Sequence, residues 1–146
     1  MRNQANTKIV LSDESAKIPH YATKGSAAVD LRTINDVTLQ PRQVNLVETG
    51  IKVALPAGHF MMIAPRSGLA LSGITVANSP GIVDEDYRGG VRIALVNHSE
   101  NPVHLRKGER VAQALLMKCE RFHWSEVLEL ETTERGEGGF GSTGTV

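Results

Sequence analysis

The chain has 146 residues, 40% hydrophobic and 22% charged, with 16 basic against 16 acidic side chains, no formal net charge and a pI near 7.0. The length is that of one domain, which buries roughly 70% of the surface of its unfolded chain, and the charge balance argues against stable nucleic-acid binding or a membrane surface held by broad electrostatics. The single cysteine, Cys119, excludes an internal disulfide, and no apolar run has the length of a signal core or a membrane span, so a soluble cytoplasmic protein is expected.

Strand signals dominate along the chain. Short β-rich runs are expected at Ile9–Leu11, Val44–Val47, Ile51–Leu55, Phe60–Ala64, Val91–Val96, Val111–Met117 and Val127–Leu130. Thr49-Gly50, Pro56-Ala57-Gly58 and Arg106-Lys107-Gly108 break them, and the short intervals favour an all-β sandwich or barrel over βαβ units. Only Ser67–Ser72 has the look of a helical turn.

The chemistry-bearing residues can be taken in the same order. His20 and Tyr21 follow Pro19 in what reads as a loop and receive no role. Asp30 emerges among small and apolar residues, in Ala27-Ala28-Val29-Asp30-Leu31, where it suits a turn cap as well as a site. In Pro65-Arg66-Ser67-Gly68-Leu69-Ala70 a strand end meets a short helical run. Ser67 is expected as its N-cap, the helix N-terminus favours anions, and Arg66 supplies a planar fork for phosphate oxygens. Asn78 before Ser79-Pro80 fits an ordinary turn. Gly81 to Gly90 reads as a hairpin tip: Ile82 and Val83 favour extended backbone, Gly89-Gly90 permits a positive-φ turn, and Val91 resumes a strand. Asp84, Asp86 and Tyr87 at that tip fit a solvated turn or a carboxylate on a rigid support. Gln113 lies among apolar residues and requires a polar partner, whether structural or functional. His98, His104, His123 and Trp124 match no metal or catalytic spacing.

The tail from Arg135 is glycine-rich. Gly136 to Gly141 formally fits G-x-G-x-x-G, but it follows no clear strand and opens no helix, and Ser142 stands where a Walker lysine belongs. A disordered terminus and a phosphate clasp both fit such a composition.

Five segments in order, at 27–31, 65–70, 81–90, 108–113 and 135–144, together resemble the motifs of the trimeric dUTP diphosphatases, the dUTPase family. Ala28 replaces a glycine usual there, Gly90 a glutamate, and Met117-Lys118-Cys119 a run into proline. The resemblance implies a distorted jelly roll with one short helical segment, assembled as a homotrimer with exchanged C-terminal arms. Residues 1–134 would form the β domain and 135–146 a mobile arm closing a neighbour's site.

It also implies hydrolysis of dUTP to dUMP and pyrophosphate with Mg²⁺, limiting uracil in DNA and supplying dUMP. Asp84 would activate the water, with Gln113 near the α-phosphate and Asp30 holding the metal through water. Arg66, Ser67 and Gly68 would contact the triphosphate, while Asn78, Gly81, Ile82 and Val83 would read uracil and Tyr87 the deoxyribose. Arg135, Phe140, Gly141, Ser142 and Thr143 would form the clasp, with Phe140 over the base. Asp86 is expected to be structural. A dCTP deaminase relative and a nucleotide-dependent regulatory protein-binding module are the alternatives.

Overall fold

The structure, a computed structural model, describes residues 5–140 and 142. Among these residues the chain forms β1 (Lys8–Leu11), β2 (Val29–Arg32), β3 (Val37–Leu39), β4 (Val44–Glu48), β5 (Ile51–Ala54) and β6 (His59–Ala64). After the helix α1 (Ser67–Leu71) come β7 (Ile74–Val76), β8 (Gly81–Val83), β9 (Arg92–Asn97), β10 (Val103–Leu105) and β11 (Arg110–Lys118). All strand pairs are antiparallel, in four sheets ordered β1-β5, β10-β3, β2-β11-β6-β8 and β4-β9-β7. The result is the expected all-β jelly roll with one short helix.

Alternation sets what is buried. In β9 the pattern puts Ile93, Leu95 and Asn97 inward, and in β7 Ile74 and Val76. The apolar ones join Leu31, Leu39, Val47, Val91 and Val111 in one core drawn from nearly every strand. Burial of each such side chain contributes about 1.5–3 kcal/mol. Asn97, wholly buried, is compatible with this core because its polar atoms are matched: Nδ2 donates to Leu39 O at 2.9 Å and Asn101 O at 2.8 Å, and Oδ1 accepts from Ser99 N at 2.9 Å. Gly50, between β4 and β5, has φ 67°, and a Cβ there would meet Ala16 Cβ at 2.8 Å. It is the residue that lets the chain reverse tightly under the N-terminal segment.

Four expectations change. Val127–Leu130 forms no strand; Val127, Leu128 and Leu130 stand exposed, as do Phe122 and Trp124, whose rings stack with centroids 4.5 Å apart. Residues 84–91 are not a hairpin tip, because β8 pairs with β6 and β9 with β4 and β7, so the loop carries the chain from one sheet to another. Neither Gly89 nor Gly90 has a positive φ, and Asp86 lies in a turn, where strand alternation does not orient it.

Candidate active site

Two groups of the expected residues gather on the four-stranded sheet, at different places. In β11, Gln113 lies opposite Asp30 of β2 on one side and Ala64 of β6 on the other. One row across three strands therefore holds Asp30, Gln113 and the residue that leads into Pro65-Arg66-Ser67. Arg66 Nε donates to Asp30 Oδ1 at 2.8 Å and Arg110 Nη1 to Asp30 Oδ2 at 3.3 Å, so each carboxylate oxygen carries a guanidinium. Gln113 Nε2 donates to Pro65 O at 2.8 Å, tying β11 to the strand end and leaving the amide oxygen for another partner.

Arg110 received no role from sequence, and a regular strand explains why. Three residues from Gln113, it would point to the opposite face. The register of β11 on β2 shifts between Arg110 and Ala112, and the consecutive burial of Val111 and Ala112 marks the same irregularity. Such a bulge restores Arg110 to the face of Gln113 and Asp30. A cleft of about 340 Å³ lies beside this group, lined by Asp30, Arg32 and Arg110 and by Lys17, Ile18 and His20 of the N-terminal segment.

Ser67 and Gly68 open α1, but the N-cap is Arg66, with extended φ −91° and ψ 134° and no side-chain cap. The expected capping role of Ser67 is thus corrected. At N1 its hydroxyl has no cap bond to make, and the first N–H groups of the helix lack intrahelical acceptors.

The second group lies around β8, an edge strand bonded only to β6. In an antiparallel ladder alternate residues turn their N–H and C=O toward and away from the neighbour. Gly81-Ile82-Val83 therefore leaves backbone donors and acceptors facing outward. Asn78 is in the preceding turn, its carboxamide 3.6 Å from where a Gly81 Cβ would stand. Past β8 the loop is fixed by bonds to backbone: Glu85 Oε2 accepts from Gly58 N at 2.6 Å, Tyr87 Oη donates to Gly90 O at 3.1 Å and Arg88 Nη1 to Glu85 O at 2.6 Å. Among the described residues the Asp84 side chain makes no hydrogen bond or ion pair; its carbonyl accepts from Tyr87 N at 3.2 Å.

The register separates the two groups. Val83 lies opposite Met61 and Gln113 opposite Ala64, which places Asp84 beside Phe60, four residues along β6 and two strands across from Gln113. At standard strand spacings that is about 16 Å. One chain does not bring Asp84 to Asp30 and Gln113.

The tail stands apart again. Arg135 Nε donates to Gly138 O at 2.8 Å and Ser142 N to Gly139 O at 3.1 Å, while Phe140 has φ 47° and a fully exposed ring. No hydrogen bond joins residues 120–142 to the strands among the described residues. Gly141 and Thr143 lie outside those residues.

No group of three or more His, Cys, Asp or Glu side chains gathers as a metal cage among the described residues. The donor set is one carboxylate already shared by two arginines, which suits a hydrated magnesium carried in by phosphates rather than a stripped ion.

The family model described as dUTPase matches residues 14–144. A deoxyuridine 5'-triphosphate nucleotidohydrolase of Neorickettsia sennetsu is 45% identical, covering 99% of each chain. One of Nautilia profundicola is 46% identical over 94% of this chain and 97% of its own. Among solved structures, a Staphylococcus bacteriophage 80alpha dUTPase mutant with dUpNHpp superposes with a TM-score of 0.88 at 24% identity, covering 96% and 99% of the two chains. That likeness is one of fold.

Proposed function

Given that this chain belongs to the dUTPase family, we propose that it hydrolyses dUTP to dUMP and pyrophosphate at a site completed only between copies of the chain. The observation that carries the reading is its identity, over nearly full length, to nucleotidohydrolases acting on deoxyuridine triphosphate. The separation of Asp84 from Gln113 supports the second half. Asp30, Ser67 and Gln113 of one protomer would meet the Asp84 loop of another and the arm of a third, in a homotrimer. In this division residues 1–134 are the body and 135–146 the arm.

The residues then take the following parts. The outward edge of β8, with Asn78, supplies fixed donors and acceptors to the uracil edge, and Tyr87 packs against the deoxyribose. Ser67 and Gly68 offer N–H groups to the triphosphate and Arg66 offers its remaining guanidinium hydrogens. Asp84, with no competing partner, accepts a proton from water as the water oxygen bonds to the α-phosphorus and the bond to the leaving pyrophosphate breaks. Gln113 orients that water through its free amide oxygen, or the phosphoryl oxygen through the second Nε2 hydrogen, the first being held by Pro65 O. Arg135, Phe140, Gly141, Ser142 and Thr143 close over the substrate and exclude bulk water. Asp30 would hold a hydrated magnesium, which would supply charge neutralisation on the triphosphate. A cytoplasmic setting belongs to this reading. Separately, no helix among the described residues is long and apolar enough to cross a membrane.

The test is incubation of the pure protein with dUTP, dCTP or UTP and magnesium, following pyrophosphate and ammonia. Pyrophosphate from dUTP alone is expected. Ammonia from dCTP would transfer the chain to deaminase chemistry, and nucleotide binding without turnover would leave a regulatory module.

A further inference from the structure

Gly89 lies two residues beyond Tyr87, and its own backbone does not call for glycine: its φ, like that of Gly90, is outside the left-handed region. What it lacks is room. A Cβ on Gly89 would meet Tyr87 Cζ at 2.5 Å and Cε2 at 3.0 Å, and Oη more closely still. A Cβ on Gly90 would meet nothing nearer than Glu48 Oε2 at 4.0 Å. The phenol thus folds back across residue 89 and ends on the hydrogen bond from Oη to Gly90 O. Contact and bond together fix a ring that is otherwise 41% exposed.

From this packing we infer that Gly89 is a positioning residue that determines sugar specificity: by having no side chain it sets where the Tyr87 ring stands against the sugar. The inference rests on the role given to Tyr87 above. The loop is exposed and the ring is the free end of a flexible side chain, so an added methyl displaces the ring rather than the backbone. The displaced ring loses its bond to Gly90 and opens space for a 2′-hydroxyl. Discrimination against an added hydroxyl by contact alone is modest in such sites, on the order of 10²-fold, so a small displacement removes much of it.

The experiment compares kcat/KM for dUTP and UTP in Gly89→Ala, Gly90→Ala, Tyr87→Ala and the double variant Gly89→Ala/Tyr87→Ala. Gly89→Ala should lower the dUTP-to-UTP ratio about tenfold, a fraction of the discrimination such contacts supply, with the change appearing as a gain on UTP. Gly90→Ala should keep the wild-type ratio, and in the Tyr87→Ala background the Gly89 substitution should add nothing, the mark of two residues acting as one. A Gly89→Ala ratio matching wild type, beside a collapsed ratio in Tyr87→Ala, overturns this inference and leaves the role of Tyr87 standing. An unchanged ratio in Tyr87→Ala removes both. Should Gly89→Ala fail to fold, a folded double variant would assign the lesion to the ring and support the inference; an unfolded one would assign it to the backbone and overturn it.

Discussion

The two ends of the four-stranded sheet are held by different means. Around Asp30, side chains hold side chains: Arg66 and Arg110 share one carboxylate. Around Asp84, side chains hold backbone, through Glu85 on Gly58, Arg88 on Glu85 and Tyr87 on Gly90. The first arrangement fails when a charge is removed. The second fails when the course of the loop changes, and it leaves the carboxylate at its start unengaged.

The largest expected effect tests that division at its free carboxylate. Asp84→Asn keeps the shape and removes the base, so turnover should fall by roughly 10²–10⁴-fold, while calorimetric titration with a non-hydrolysable dUTP analogue still shows binding. Turnover near wild type would remove Asp84 from the chemistry.

The next test asks whether the two ends serve one site from different copies. Asp84→Asn with an intact arm, and a chain truncated after Glu134 with a sound loop, should each be nearly inactive. Co-refolded with two affinity tags, mixed trimers should regain about one working site in three, because one neighbour pair per ring joins a sound loop to an intact arm. Pyrophosphate release no higher than from the separate variants, with mixed trimers confirmed, would contradict the arrangement.

At the charged end, Arg110→Ala leaves one oxygen of Asp30 without its cation. Losing a charged hydrogen bond costs about 1.5–3 kcal/mol, and we expect roughly a tenfold loss in kcat/KM with a raised magnesium requirement, read by titrating the metal in the turnover assay. Unaltered magnesium dependence would detach Arg110 from the site. The smallest effect belongs to the loop frame. Glu85→Gln keeps an acceptor for Gly58 N–H and loses only the charge, so the melting temperature should correspond to under about 1 kcal/mol of destabilisation, with kcat within twofold of wild type. A larger loss of kcat would mean that Glu85 does more than hold backbone.

How much of this could be read in the sequence depended on strand length and on what the apolar pattern serves. The β9 strand alternates cleanly in burial and β11 carries a long apolar run, and β6 is legible with nearly its observed bounds. By contrast β3, β7 and β10 have three residues each, too few to display a period of two, and went unseen. Val127–Leu130 erred the other way. Its apolar residues are exposed in the single chain, so a short apolar run by itself does not mark a strand of the core. At the polar end the sequence singles out Asp30, Arg66 and Gln113, which the structure brings together, but not the ion pairs between them, the N-cap position or Arg110, because a bulge leaves no local mark. At the loop, the sequence suggests a turn glycine at 89, whereas in the structure a phenol lies over it.

The open edge of β8 has a liability as well as a use. Unpaired backbone that, in the proposed function, would read a flat heterocycle can also recruit any extended peptide, and exposed edges are where β proteins begin to aggregate. Here the edge is three residues long, with Pro80 immediately before it and the charged Asp84 immediately after. Proline cannot donate to a ladder and a carboxylate resists desolvation between strands. Lengthening the edge would therefore risk fibre growth, and its shortness protects solubility at the concentrations a cell requires.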